Sequence, residues 1–60
     1  MKQEEKTFFF EDTVVNLEMA KKFNWITILI KKNPTNYEKN CKRVDFIFPD
    51  IITALNHFTN

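Results

Sequence analysis

The chain contains no glycine, two prolines, one cysteine and one histidine in 60 residues. A lone Cys41 can close no internal disulfide, and no cluster of Cys and His with zinc-ligand spacing exists. No apolar run approaches the roughly 18 residues of a membrane span; the longest, "WITILI" from Trp25 to Ile30, falls far short. Neither sign of charge dominates. Nine Lys and Arg against eight Asp and Glu leave a net charge of +1, so no strong field draws nucleic acid or an acidic membrane. "MKQEEK" mixes acids and bases ahead of no long apolar core, so a signal peptide is not expected. Cytoplasmic residence follows as the expectation. With no glycine to take a left-handed backbone position, another residue must, and Asn24 is the candidate.

What is present reads as globular: 43% apolar and 28% charged residues lie outside the disordered range. A chain of this size forms at most one small domain and buries only about 60% of its unfolded surface, so its stability is marginal. Lys, Asn, Ile and Phe are abundant in the manner of an AT-rich coding sequence, and their numbers alone carry no functional argument.

Apolar periodicity sets out the elements. Thr7–Phe10 reads as a buried strand. Thr13–Phe23 reads as a helix with Val15, Leu17, Met19, Ala20 and Phe23 on one broad face and Glu18, Lys21 and Lys22 on the other. Asn24 ends it, behind a basic last turn that suits the helix dipole. Trp25–Ile30 is a second strand, apolar on both sides. Residues 31–43 are polar, carry the turn signal Asn33-Pro34 and read as a loop. Val44–Phe48 is a third strand, followed by a helix with Pro49 at its first position, Asp50 in its first turn, and Ile51, Ile52, Ala54, Leu55 and Phe58 on its apolar face. The order β-α-β-β-α with strands this close implies parallel pairing through right-handed crossovers. The fold class is α/β. If both helices lay on one side, the other face of the sheet would be left bare for a partner or another part of a domain.

"FFFEDTVVN", residues 8–16, runs the most apolar stretch straight into two carboxylates. Acids beside a buried strand need compensation, from a helix N-terminus or from a bound cation. Asp12 or Thr13 can cap the following helix. The alternative is a hard cation, since Mg2+ takes one or two carboxylates with water and phosphate oxygens. The pair sits at the carboxyl end of a strand, where ligands of open parallel sheets bind. Asn16 is the polar member of an apolar arc, one turn into the helix.

The stretch "FFFEDTVVNLEMAKKFNWITILI" resembles the later part of haloacid dehalogenase-like hydrolases: an acidic pair after a strand (Glu11-Asp12), a small polar residue (Thr13), Asn16-Leu17-Glu18, Ala20, a break at Asn24-Trp25 where the family carries glycine, and a Thr-containing apolar strand at Thr27–Ile30. "VDFIFPDIITALNHF" is similar to the family's closing strand and helix, and "FED…NLE" resembles the pyrimidine 5′-nucleotidase branch in particular. The resemblance spans about residues 6–58. It implies a partial Rossmann-like, three-layer sandwich, with Asp12 as a Mg2+ ligand, Glu11 as a second ligand or supporting acid, and Asn16 and Thr13 orienting them. The family's nucleophilic aspartate and its phosphate-binding Ser/Thr and Lys lie upstream of the acidic pair. Only ten residues precede Glu11, none an aspartate, and Lys6 stands about 16 Å back at ~3.3 Å per residue. Residues 1–60 are therefore expected to be one unit, the C-terminal portion of such a domain, holding part of the metal site and none of the covalent chemistry.

The remaining chemistry-bearing residues read blandly. Lys31, Lys32, Lys39, Lys42 and Arg43 form a solvated loop with only Tyr37 as an aromatic neighbour. Asp45 pairs with Arg43 or faces solvent, His57 is a surface or packing residue, Cys41 lacks a base, and Trp25 packs under the helix break. Three functions follow. The first is the Mg2+-binding segment of a phosphohydrolase acting on phosphate monoesters of the nucleotide type, inactive alone and completed by the rest of a split or truncated domain. The second is a receiver-like signalling fragment, whose acidic pocket "FFFEDTVVN" also resembles; it would require an aspartate at the end of the third strand. The third is a non-catalytic module, including a homo-oligomer, that uses an apolar sheet face.

Overall fold

Three short strands rich in Phe and Ile form one sheet in the order β1-β2-β3, both pairings parallel. The computed structural model describes residues 6–59, so most of the segment read as lacking a signal peptide lies outside the described residues. Along the chain the elements are β1 (Phe8–Glu11), α1 (Val14–Lys21), β2 (Ile26–Ile30), α2 (Asn36–Lys39), β3 (Phe46–Phe48) and α3 (Ile51–Thr59). The α/β class and parallel sheet are those expected, and the architecture is compatible with part of a Rossmann-like fold.

Register and the alternation of side chains divide the sheet. Phe10, Ile28 and Phe46 align across it, as do Glu11, Leu29 and Ile47. Phe9, Glu11, Thr27, Leu29 and Ile47 therefore share one face. Val14 and Leu17 of α1 pack there on Leu29, with Phe9, Cys41, Val44 and Ile47 around them. Because Cys41 and Val44 belong to the β2–β3 connection, that connection passes on the same face as α1. Right-handed crossovers stepping the same way across a sheet do this. The opposite face holds Phe8, Phe10, Ile28, Phe46 and Phe48. Phe58 of α3 lies against four of these rings, at centroid distances of 5.0–6.3 Å, and Ala54 is fully buried. The helices thus lie on opposite faces, giving three layers. The condition for a bare sheet face is not met, although Phe8 and Phe46 at the edges remain partly exposed.

The buried face of α1 differs from the expected arc. Leu17 and Ala20 are buried as expected, but Val14 joins them, while Val15, Met19 and Phe23 are 71%, 57% and 65% exposed. Apolar residues occur on two sides of this helix, so periodicity alone cannot choose between them. Docking on the side of Val14, Leu17 and Ala20 also carries Lys21 to the carbonyl of Trp25 and the carboxylate of Asp45, which the other orientation forfeits. α3 likewise buries Ala54 and half of Phe58 while Ile51, Ile52 and Leu55 stay exposed.

Local signals explain the ends of the elements. Asn24 has φ 67°, the left-handed conformation, and its N–H donates to Lys21 O at 3.0 Å. A Cβ in that region costs about 1–2 kcal/mol, less for Asn, which tolerates it. Asn24→Gly is expected to hold or raise the melting temperature, and Asn24→Val to lower it by roughly 5–10 °C for about 1–2 kcal/mol; thermal unfolding followed by circular dichroism reads both. Asp50 precedes α3 rather than lying within it: its Oδ1 accepts the Thr53 N–H at 2.8 Å and its carbonyl the Ala54 N–H, the geometry of an N-cap. Pro49 consequently stands one residue before the cap. Within the expected loop, α2 forms one helical turn closed by a reciprocal capping box, Thr35 with Glu38.

Candidate functional site

All three strands end on the same edge of the sheet, and residues following them form its carboxyl rim: Glu11-Asp12 after β1, Lys31-Lys32 after β2, Pro49-Asp50 after β3. Glu11 is the last residue of β1 and half-buried on the α1 side, while Asp12 is exposed in the bend that leads to the helix.

Thr13 occupies the N-cap position of α1 with an extended backbone, yet its side chain makes no capping bond. Its Oγ1 instead donates to Glu11 Oε2 at 3.4 Å. Neither Asp12 nor Thr13 caps the helix through its side chain, and no acid stands in the first turn. The cap explanation for the acidic pair thus fails locally. Glu11 is held below its ordinary value of 4.5, first by hydrogen bonding with the Asp12 carboxyl group, then by the Asn16 side chain, with partial burial opposing and the Asp12 backbone and the Thr13 hydroxyl adding to the depression. Of these neighbours Thr13 makes the hydrogen bond to the Glu11 carboxylate; Asp12 adjoins it in sequence and Asn16 is an exposed residue in the first turn of α1.

Among the described residues both ion pairs involve other carboxylates, Asp45 and Glu38. Also among the described residues, no group of three or more Asp, Glu, His or Cys side chains is arranged to hold a metal. The donor set at the rim is two carboxylates, one of them bonded by the Thr13 hydroxyl. That composition fits Mg2+, which leaves several coordination positions to water and to substrate phosphate. It does not fit a closed structural site.

Of the other rim residues, Lys31 and Asp50 are engaged. Lys31 Nζ bonds Glu38 Oε2 at 2.7 Å, and this bond, ahead of the Thr35 N–H, holds the Glu38 carboxyl below its ordinary value. Asp50 is likewise held low, first by the Thr53 N–H that it caps.

At the amino edge lies a cluster that the sequence did not disclose. Asp45 Oδ2 accepts from Lys21 Nζ and from the backbone N–H of Thr27 at 2.9 Å. The Thr27 hydroxyl donates to Arg43 O at 2.7 Å and accepts the Asp45 N–H at 3.1 Å. Asp45 thus pairs with Lys21, not Arg43, because β2 and β3 bring it to the C-terminal end of α1. Burial raises its carboxyl, but the Lys21 bond, the Thr27 N–H and the Lys21 charge outweigh this and leave it low. Thr27 is fully buried, and the cluster satisfies its polar atoms; it joins α1, β2 and β3 structurally. Beside it, Glu18, Lys21, Lys22 and Arg43 line an open depression of about 440 Å³. His57 packs on the rings of Phe46, Phe48 and Phe58, and Trp25 lies between Phe9 and Phe23. Cys41 is a half-buried free thiol at the margin of the core.

No family model, curated protein or solved structure matches the chain. Among the described residues no helix is long and apolar enough to cross a membrane.

Proposed function

We propose that this chain supplies the Mg2+-binding carboxyl rim of a haloacid dehalogenase-like phosphohydrolase, of the kind that acts on nucleotide monophosphates in the cytoplasm, and that it is inactive alone. The observation that carries this reading is Thr13, whose hydroxyl leaves the cap position of α1 to bond Glu11. Two carboxylates adjacent in sequence at the carboxyl end of β1, one of them bonded by the Thr13 hydroxyl, offer a hard cation its first ligands. Asp12, exposed at the tip, is the direct ligand. Glu11 is a second ligand or steers the first, and Asn16 and Thr13 fix its direction. A Mg2+ ion bound there neutralises phosphate oxygens. The nucleophile must come from another segment. The chain's other aspartates are Asp45 and Asp50; the first is bound in the amino-edge cluster and the second caps α3. The remainder of a split or truncated domain is the partner this reading requires. A receiver-like reading needs a rim aspartate after β3, and Asp50, the residue there, is committed to its helix.

Mg2+ titration by calorimetry is expected to give a dissociation constant on the order of 1 mM for the chain alone. Asp12→Asn should weaken it by at least about 10-fold, and Asn16→Ala by a similar or smaller factor, as supporting residues do. Equal affinity in the Asp12→Asn variant and the parent would argue against the assignment.

A further inference from the structure

α1 is apolar on two opposite sides. One side, Val14, Leu17 and Ala20, is buried on the sheet. The other is Val15 and Met19, one turn apart, continued by Phe23 in the turn that follows the helix, each more than half exposed. A helix apolar on both sides normally has both covered. We infer that the outer ridge of α1 pairs antiparallel with the same ridge of a second copy of this chain, about a two-fold axis at Met19.

Three gradients along α1 point to a second copy in that orientation. The first is charge. Asp12 is exposed at the entry to the helix, while Lys22 and Arg43 are exposed around its exit. An antiparallel pair sets the acidic entry of each copy over the basic exit of the other, and places the helix dipoles side by side and antiparallel. The second is size. The ridge runs from Val15 through Met19 to Phe23, so the two-fold places small against large at both ends and Met19, the most adaptable side chain, against itself. The third is rigidity. Phe23 lies tilted against half-buried Trp25 with ring centroids 5.1 Å apart, an aromatic anchor of the type that concentrates binding energy. Ridges of i±4 spacing interdigitate at about −50°, and a two-fold contact is self-complementary by construction. α3 also exposes Ile51, Ile52 and Leu55, but the basic residue of its last turn is His57, which packs on the Phe rings, so it lacks the exposed lysine exit of α1. An eight-residue helix is about 12 Å long. The patch therefore falls short of the ~800 Å² per partner of a stable dimer, and the pair is weak, with a dissociation constant of about 0.1–1 mM.

The inference is independent of the Mg2+ reading, so sedimentation is measured in EDTA. The parent chain should shift from monomer toward dimer between about 10 µM and 2 mM. Met19→Lys, which sets like charges on the axis, should weaken the dimer at least about 10-fold, and Ile52→Lys on α3 should leave it unchanged. A parent that stays monomeric to ~2 mM, or a dimer lost with Ile52→Lys and kept with Met19→Lys, overturns the inference. If circular dichroism shows Met19→Lys unfolded, charge reversal decides. Asp12→Lys and Lys22→Glu should each weaken self-association, and mixing the two variants should restore it as a heterodimer; no gain on mixing overturns the inference.

Discussion

Leu29→Ala is expected to remove about 3–4 kcal/mol of stability, between about a third and all of what a chain of this length holds. Leu29 lies in the central strand, fully buried, with Val14 and Leu17 directly upon it. β2 is held by a ladder on each side, so the backbone cannot collapse into the space left behind, and the cavity term adds to the lost transfer free energy. A chain of this length has a total stability of roughly 3–9 kcal/mol. One cavity therefore consumes a large share of it. Urea unfolding followed by circular dichroism should show the midpoint falling toward zero, whereas Met19→Ala on the exposed ridge should stay within about 0.5 kcal/mol of the parent.

The second large effect is expected at Asp45. Asp45→Ala leaves the buried Thr27 N–H without its acceptor and Lys21 without its carboxylate. An orphaned buried donor costs about 1–3 kcal/mol, and because Asp45 is a third exposed, solvent screening adds little to that from the ion pair itself. Asp45→Asn keeps an acceptor and should cost about 1 kcal/mol. The same cluster fixes part of the pH response. In the folded state the Asp45 carboxyl lies below its ordinary value of 3.8. The unfolded chain therefore binds more protons in that window, and stability rises with pH across it. The contribution is complete above the ordinary value and is lost as pH falls through the lower folded one. Glu11, Glu38 and Asp50 are depressed in the same direction. Unfolding experiments should give stability that is flat near neutrality and drops below about pH 4, with a shallower drop in Asp45→Asn.

Three strands could be read from the sequence because each is a run of β-branched and aromatic residues, and Asn24 because a glycine-free chain offers few other left-handed stops. The capping box around α2 was also legible. Thr35-Asn36-Tyr37-Glu38 carries Thr and Glu at the required spacing, but the polar composition of residues 31–43 masked it. The face of α1 could not be read, since two apolar sides compete and only the sheet, with Asp45 waiting for Lys21, selects one. The Asp45 cluster itself joins residues 16 to 24 positions apart, which local pattern cannot reveal. At the rim, adjacency placed Glu11 beside Asp12 and helical spacing set Asn16 one turn on. That Thr13 serves Glu11 rather than the helix was a choice between two local partners, which sequence spacing does not decide.

The central claim is that the carboxyl rim, not the amino-edge cluster, is where a divalent cation binds. A Mg2+ titration of isotope-labelled chain, followed by amide NMR, tests it most directly. The account predicts saturable shifts concentrated at Glu11, Asp12, Thr13 and Asn16 and abolished by Asp12→Asn, with Thr27 and Asp45 unmoved. Shifts spread evenly over all the carboxylates, or the same in Asp12→Asn as in the parent, would contradict it.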